Sequence, residues 1–443
     1  MSKRKVRRRL LRLVVACAAR ASLGGRDSLW PVLGTLRPAL VITIGIALLA
    51  VTLARASDAA DQKQIRLAVD YLLHAQRPYG LFAYDFDFLE DKPREPENIV
   101  RQAMGAYILA EYYSHARDER VRGAVEAALA ALDAQSLPMR KSSVRSLLDR
   151  IGLLRMPAGR TKLRTTLERV DLFPRPDGDS KVVSADRTYV NAWAGATPIS
   201  LLAELHYHLA SSDGRFAGQR AAWLGGVRAL YVPDRGFRAF PYSLEGSPYV
   251  DGEAWLAVAL YATAFPLDES LAAFLTKLDR TLMTRYRRDY SFEFYHWGTM
   301  AAALRWKQTS DETFVRFIRE QAQVALDEPE WIRARLENTC AHLEGLATAA
   351  TVLRGRRDAS VLLSRIHERI DAEMSKNRAL QIQPEQTRLQ RPDGTSLSSP
   401  RLRDFAGAFL AGLSEPYTRI DLTSHCLSVM VKLARDDQRS AQR

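Results

Sequence analysis

Six short stretches of this 443-residue chain place acids, amides, histidines or aromatic rings at the start of an apolar run. They are Asn98 with Arg101 and Gln102; Asn191 with Trp193; Tyr249, Asp251 and Glu253; Glu293, Tyr295, His296 and Trp297; Asn338, His342 and Glu344; and Asp421, Ser424 and His425. Gathered around one cavity, these types would equip a sugar site. Aromatic faces stack on pyranose rings, and carboxyls held in opposite protonation states act as acid and base. Asp251, Glu253 and Glu344 are the acid/base candidates, with His296 assisting. Arg101 suits an anionic group, and Trp193, Tyr249 and Trp297 suit stacking. Asn98, Gln102, Tyr295, Asn338, His342 and His425 complete the expected substrate contacts. Helix capping competes as an explanation for Asn98, Asp251, Asn338 and Asp421, and dipole complementation for Glu253. Glu344 and Arg101 resist such accounts, because each interrupts a run otherwise free of charge and must find a partner or a wet lumen.

Two of the three cysteines stand beside histidines, in Cys340-Ala341-His342 and His425-Cys426. Three states stay open for them: a zinc site with Cys340, His342, His425 and Cys426 as ligands, a disulfide if the chain reaches an oxidising compartment, or two unpaired buried thiols. The stretch from Tyr84 to Asp91 alternates acids and aromatics and could line a cleft or hold Ca²⁺, although it lacks the spacing of a calcium loop. No cofactor is expected.

The elements that would carry these residues follow from hydrophobic period. One class of segment is amphipathic and charge-rich: 61–76, 117–134, 217–229, 268–285, 311–325 and 358–376. Apolar residues recur there at three and four, as in Phe314, Phe317 and Ile318, which buries one stripe and wets the rest. The other class is nearly uncharged: 98–114, 191–210, 252–265, 296–306, 338–353 and 421–434. Small and apolar on all sides, these suit helices surrounded by protein, and at about a dozen apolar residues they are too short to span a membrane. The classes alternate strictly, and Asp251, His296 and His342 recur at about one α-hairpin.

The alternation resembles the (α/α)6 toroid of the six-hairpin glycosidase-like superfamily, over residues 61–434. The resemblance implies an all-α fold with an inner and an outer ring of helices, and a carbohydrate-active site. An open solenoid of the same hairpins is the competing architecture. Connections from inner to outer helices are short (266–267, 307–310, 354–357), whereas those at the other end are long: 77–97, 135–190, 230–250 and 377–420. Four long loops on one face argue for a cleft there, where six helix N-termini also favour negative groups. The 135–190 insertion is basic, with Arg140, Lys141, Arg145, Arg155, Arg160, Lys162 and Arg164, which fits an anionic polymer or merely a solvated loop. The Cys and Cys-His pairs on successive inner helices also resemble those of lanthionine cyclases, toroids with zinc, without the flanking glycines of those enzymes.

Charge sets the location. The net charge is +13, and residues 1–57 supply most of it with eleven basic residues and one acid, Asp27. A basic tail beside a near-neutral body argues against nucleic-acid binding. Residues 39–54 carry no charge and would make about 24 Å of helix. The expected organisation is a basic cytoplasmic tail (1–36), a signal-anchor or signal-peptide helix (37–56) and a periplasmic toroid (57–443) with insertions at 135–190 and 377–420. Ala54-Arg55-Ala56 has the form of a cleavage site, so the helix is retained or removed. Arg7-Arg8-Arg9 and the run ending at Cys17 resemble a twin-arginine signal and a lipobox, but neither adjoins an apolar run. The expected location is therefore a bacterial inner membrane, crossed once.

The sequence thus points to an enzyme acting on an envelope or exported polysaccharide, by glycoside hydrolysis with paired carboxylates or by lyase or epimerase chemistry. A polysaccharide- or partner-binding accessory of a membrane-bound glycosyltransferase or export system is the alternative, and a zinc-dependent toroid enzyme the second.

Overall fold

The computed structural model describes residues 61–94, 97–140, 176–188, 191–241, 243, 245–328 and 336–441. The tail and apolar stretch lie outside them, as do Lys141 to Arg164 of the basic insertion. Among the described residues, no helix is long and apolar enough to cross a membrane. Residues 66–443 form one compact unit.

Among the described residues, twelve α-helices alternate as the hydrophobic pattern requires. The charge-rich members are α1 (61–75), α3 (Glu119–Ala134), α5 (Ala217–Leu230), α7 (Glu269–Arg288), α9 (Glu312–Asp327) and α11 (Ser360–Ala379). Three of them begin on an aspartate N-cap: Asp118, Asp268 and Asp311 accept from Arg120 N, Leu271 N and Thr313 N. That bond satisfies an amide that the helix cannot. The apolar members are α2 (Ile99–Ala116), α4 (Ala196–Ser211), α6 (Pro248–Ala264), α8 (Phe292–Thr309), α10 (Cys340–Leu353) and α12 (Ile420–Ala441).

The apolar helices close into a ring. Each packs against its neighbours in sequence, and α12 packs against α2. Closure rules out the open solenoid. The seam between last and first is held by Lys432 Nζ, which donates to Glu111 Oε1 at 2.8 Å, and by pairing of β1 (Asp85–Asp87) with β8 (Tyr417–Arg419). Close approach elsewhere depends on glycine. A Cβ on Gly252 would lie 2.5 Å from Trp297 Cβ, and one on Gly345 2.5 Å from the Tyr295 ring, so α6, α8 and α10 approach more closely than side chains would allow.

The long connections fold into two-stranded pieces over the inner-helix N-termini. β2 (Ser136–Arg140) pairs with β3 (Pro176–Val183), β4 (Tyr231–Val232) with β5 (Gly236–Phe237), and β6 (Arg388–Gln390) with β7 (Ser396–Ser398). In the 84–91 loop, Phe86 and Phe88 are buried against Phe405. Asp87 accepts from Leu89 N and Glu90 N, and Asp85 from Arg94 N. These contacts fasten the loop.

Cys340 and Cys426 form a disulfide joining the first turn of α10 to the second turn of α12, with Cα atoms 4.8 Å apart. This corrects the zinc expectation: sulfurs bonded to each other are not thiolates, so the Cys340, His342, His425 and Cys426 set cannot bind metal as drawn. Nor are the thiols unpaired. Because the bond spans 86 residues, replacing both cysteines by serine is expected to lower the unfolding free energy by about 4 kcal/mol. Urea denaturation checks this, and an unchanged midpoint would contradict it.

Candidate active site

The N-terminal turns of the inner helices share one mouth. Two helices begin a turn earlier than hydrophobicity alone suggests, because Pro248 opens α6 and Ser291 caps α8 by accepting from Phe294 N. Asp251 and His296 therefore sit inside the first turns, where their side chains are walled by neighbouring helices.

The three carboxylate candidates differ in what they touch. Asp251 is fully buried and faces outward: Phe237 N donates to its Oδ1 at 2.6 Å, while Tyr286 Oη and Arg285 Nη1 donate to its Oδ2 at 2.6 and 3.2 Å. Burial raises its pKa to about 6, against those donors. Glu253, two residues on, turns away from Asp251 because successive helical residues are about 100° apart. Its carboxyl lies against the start of α4, where a Cβ on Gly195 would come within 2.4 Å of Glu253 Oε2. That oxygen is buried and has no hydrogen-bond partner among the described residues. Burial pushes the Glu253 pKa up to about 8, so the group holds its proton at neutral pH. Glu344 is fully buried and its Oε2 pairs with His425 Nδ1 at 3.0 Å.

His296 completes a cluster with that pair. Its ring is 5.6 Å from His425, and both of its nitrogens are buried without partners among the described residues. Burial, with His425 and His342 adding to it, drives its pKa well below the ordinary value, leaving a neutral imidazole. His342 stacks on Phe292 at 3.4 Å and is likewise kept neutral, by burial first, with a pKa of about 3.

The three stacking candidates, and Tyr295 among the other expected contacts, separate. Trp193 and Tyr249 stand at the rim, 44% and 46% exposed, with Phe240 beside Trp193 at 4.8 Å. Tyr295 and Trp297 are buried at 0% and 2%, so their faces are spent on the wall. Consecutive residues 295–297 cannot all point inward on one helix. Around Tyr249, the charges that bear on its phenol are Glu293, Glu253, Arg101 and Asp421, and enclosure together with the acids raises its pKa.

Arg101 bonds to Tyr84 Oη and lies 3.5 Å from Asp421, which Arg419 also holds at 2.6 Å. Burial opposes the charge of Asp421, yet Arg419 and Arg101 outweigh it and keep its pKa below the usual range. Burial lowers that of Arg101. The amides serve the scaffold. Asn98 caps α2 through Val100 N, Gln102 bridges both backbone groups of Phe82, and Asn338 accepts from Cys340 N. Glu293 is exposed at the rim, Asn191 binds Asp186, and Ser424 Oγ donates to Ile420 O.

A second cavity, of about 360 Å³, opens at the other end of the ring, where the C-terminal halves of the same helices gather. Tyr107 lines it and packs against Trp297 at 5.9 Å, which puts these two rings between cavity and mouth. The pairs Glu111–Lys432 and Arg354–Asp436 are neutralised there, whereas at the mouth Glu253 Oε2, Glu344 Oε1 and both nitrogens of His296 are buried without partners among the described residues. Gly195, which makes room for Glu253, was not among the residues singled out by sequence; nothing local marks it.

The closed double ring of helices is an (α/α)6 toroid, a fold similar to that of several solved glycoside hydrolases. The GH76A α-1,6-mannanase of Salegentibacter sp. HEL1_6 superposes with a TM-score of 0.56 at 10% identity, over 84% of this chain and 98% of that one. An inactive variant of that enzyme, with two adjacent aspartates replaced by asparagine, has been solved with α-1,6-mannotriose. A GH76 α-mannanase from Bacteroides thetaiotaomicron (TM-score 0.53, 9% identity, 86% and 97% covered) and an unsaturated glucuronyl hydrolase specific for heparin (0.52, 10%, 86% and 98%) are also similar. No family profile matches the sequence, and no curated protein matches it. The described inner-helix mouths contain no adjacent pair of aspartates; Asp251 and Glu253 are separated by Gly252.

Proposed function

We propose that the chain cleaves a glycosidic bond in a polysaccharide bound across the inner-helix mouth, with Glu253 as proton donor. The observation that carries this reading is the Glu253 carboxyl, kept protonated by burial beside an open rim of Trp193 and Tyr249. A general acid must hold its proton at working pH and deliver it to the leaving oxygen. The Glu344–His425 pair is the basic counterpart, placed to draw a proton from water or a sugar hydroxyl. Asp251 is a positioning residue that pins the β4–β5 hairpin to α6 and α7. Arg101, paired with Asp421, and the basic insertion favour a glycan bearing acidic groups. The similar mannanases and glucuronyl hydrolase support carbohydrate chemistry at the level of fold.

The location belongs to the same proposal: a body beyond the bacterial inner membrane, in the periplasm, tethered by residues 37–56. The lopsided charge of the tail supports it, and so does the disulfide, which persists where the surroundings oxidise.

The test is release of new reducing ends by the full-length protein from a panel of α-1,6-linked mannan, neutral glucans and uronate-bearing polysaccharides. Turnover of at least one is expected, with KM rising several-fold in Trp193→Ala as a stacking face is lost. Tight binding without turnover would instead support the accessory role beside a glycosyltransferase or export complex.

A further inference from the structure

We infer that His296, Glu344 and His425 form a binding site for one divalent transition metal ion, with Zn²⁺ the best match to their donor atoms. The three residues come from neighbouring inner helices α8, α10 and α12. Each offers a ligand atom, and these atoms lie within 4.8 Å of one another. Two donors of a tetrahedral zinc, each bound at about 2.0–2.2 Å, stand about 3.4 Å apart. The present spread of 4.8 Å therefore closes with a shift under about an ångström in each of two side chains.

The polar accounting points the same way. Both nitrogens of His296 and the Oε1 of Glu344 are buried with no partner among the described residues, and the two side chains are 3% and 0% exposed. A buried polar atom left unpaired costs about 1–3 kcal/mol. One ion taking one imidazole nitrogen and one carboxylate oxygen would remove two such deficits at once. Two imidazoles and a carboxylate are also a donor set of open zinc sites, which leave one position for water or a substrate oxygen. The cation nearest in effect, Lys432, is neutralised by Glu111 at 2.8 Å. The disulfide removes the neighbouring sulfurs, so softer thiolate ligation does not compete.

The inference stands on the geometry of the floor and is measured without any glycan, so it fails or holds separately from the catalytic proposal. If both hold, Glu344 and His425 would serve as ligands, and the ion in place of the free pair would polarise the water or sugar oxygen. The full-length protein is stripped with a chelator, equilibrated with Zn²⁺, dialysed and analysed for metal; a parallel sample takes Co²⁺ and is read by its visible absorption. One ion per chain is expected in the wild type. Affinity should fall at least about tenfold in His296→Ala, Glu344→Gln and His425→Ala, while His342→Ala, checked as folded by circular dichroism, keeps it. Substoichiometric zinc in the wild type would overturn the inference, as would undiminished binding in folded His425→Ala, the variant least threatened by burial. Should the variants unfold, the wild-type cobalt spectrum decides: bands of low-coordinate nitrogen and oxygen ligation support the site, and the spectrum of the hydrated ion overturns it.

Discussion

Replacing Glu253 by glutamine is expected to lower kcat on the cleaved glycan by about 10²–10⁴-fold while the protein remains folded. Glutamine fills the same space beside Gly195 and carries no proton to give. The pH dependence follows from the same carboxyl. With its pKa raised to about 8, the acid form is present at neutral pH, and wild-type activity should fall as pH rises through about 8. Stability has the same sign. The folded-state pKa lies above the ordinary 4.5, so this contribution is fully present below about 4.5, is lost steadily as pH rises from there to about 8 because only the unfolded chain releases the proton, and levels off above 8. The wild type should therefore lose thermal stability between about pH 5 and 8 more steeply than Glu253→Gln, and the two profiles should run parallel above that. Parallel pH profiles of kcat and of Tm check both. A variant with full kcat would remove Glu253 from the chemistry, and identical stability profiles would mean that its pKa is not raised in the folded protein.

The second large effect is on folding. Asp251→Ala is expected to cost about 3–5 kcal/mol, since it strands the buried Tyr286 hydroxyl and the Phe237 amide and leaves Arg285 without its carboxylate. Asp251→Asn should cost less, because an amide oxygen can still accept one of these bonds. In both variants, kcat per folded molecule should stay near wild type. Denaturation with active-site-normalised kinetics separates this from catalysis: a marginal stability change with a thousandfold loss of kcat would return Asp251 to the reaction.

Much of the fold was legible because burial differs so sharply between the two kinds of helix. Runs such as 252–265 have no polar face to give to water, and runs such as 311–325 have one, so the order of inner and outer elements follows from hydrophobic period. Helix starts were less legible, since Pro248 and Ser291 act through local backbone chemistry that hydrophobicity does not register. Within the site, the mouths themselves were readable but their division of labour was not. Asp251 and Glu253 look alike in sequence; about 200° of helical rotation sends one to the outer ring and the other inward. The same rotation buries Tyr295 and Trp297. The pairing of Cys340 with Cys426 depends on α10 and α12 being ring neighbours, which no spacing reveals, and it displaced the thiolate site. His296 kept its interest for a reason visible only in three dimensions: nothing among the described residues satisfies it.

In the proposed reaction a sugar is cut at the inner-helix mouth and not in the cavity at the opposite end. The most direct measurement is a crystal structure of Glu253→Gln soaked with a glycan that the wild type cleaves. A saccharide lying across the mouth is predicted, with a ring on Trp193 or Tyr249 and a glycosidic oxygen beside residue 253. Saccharide density confined to the cavity near Tyr107 and Lys432, or to the outer helices, would contradict it.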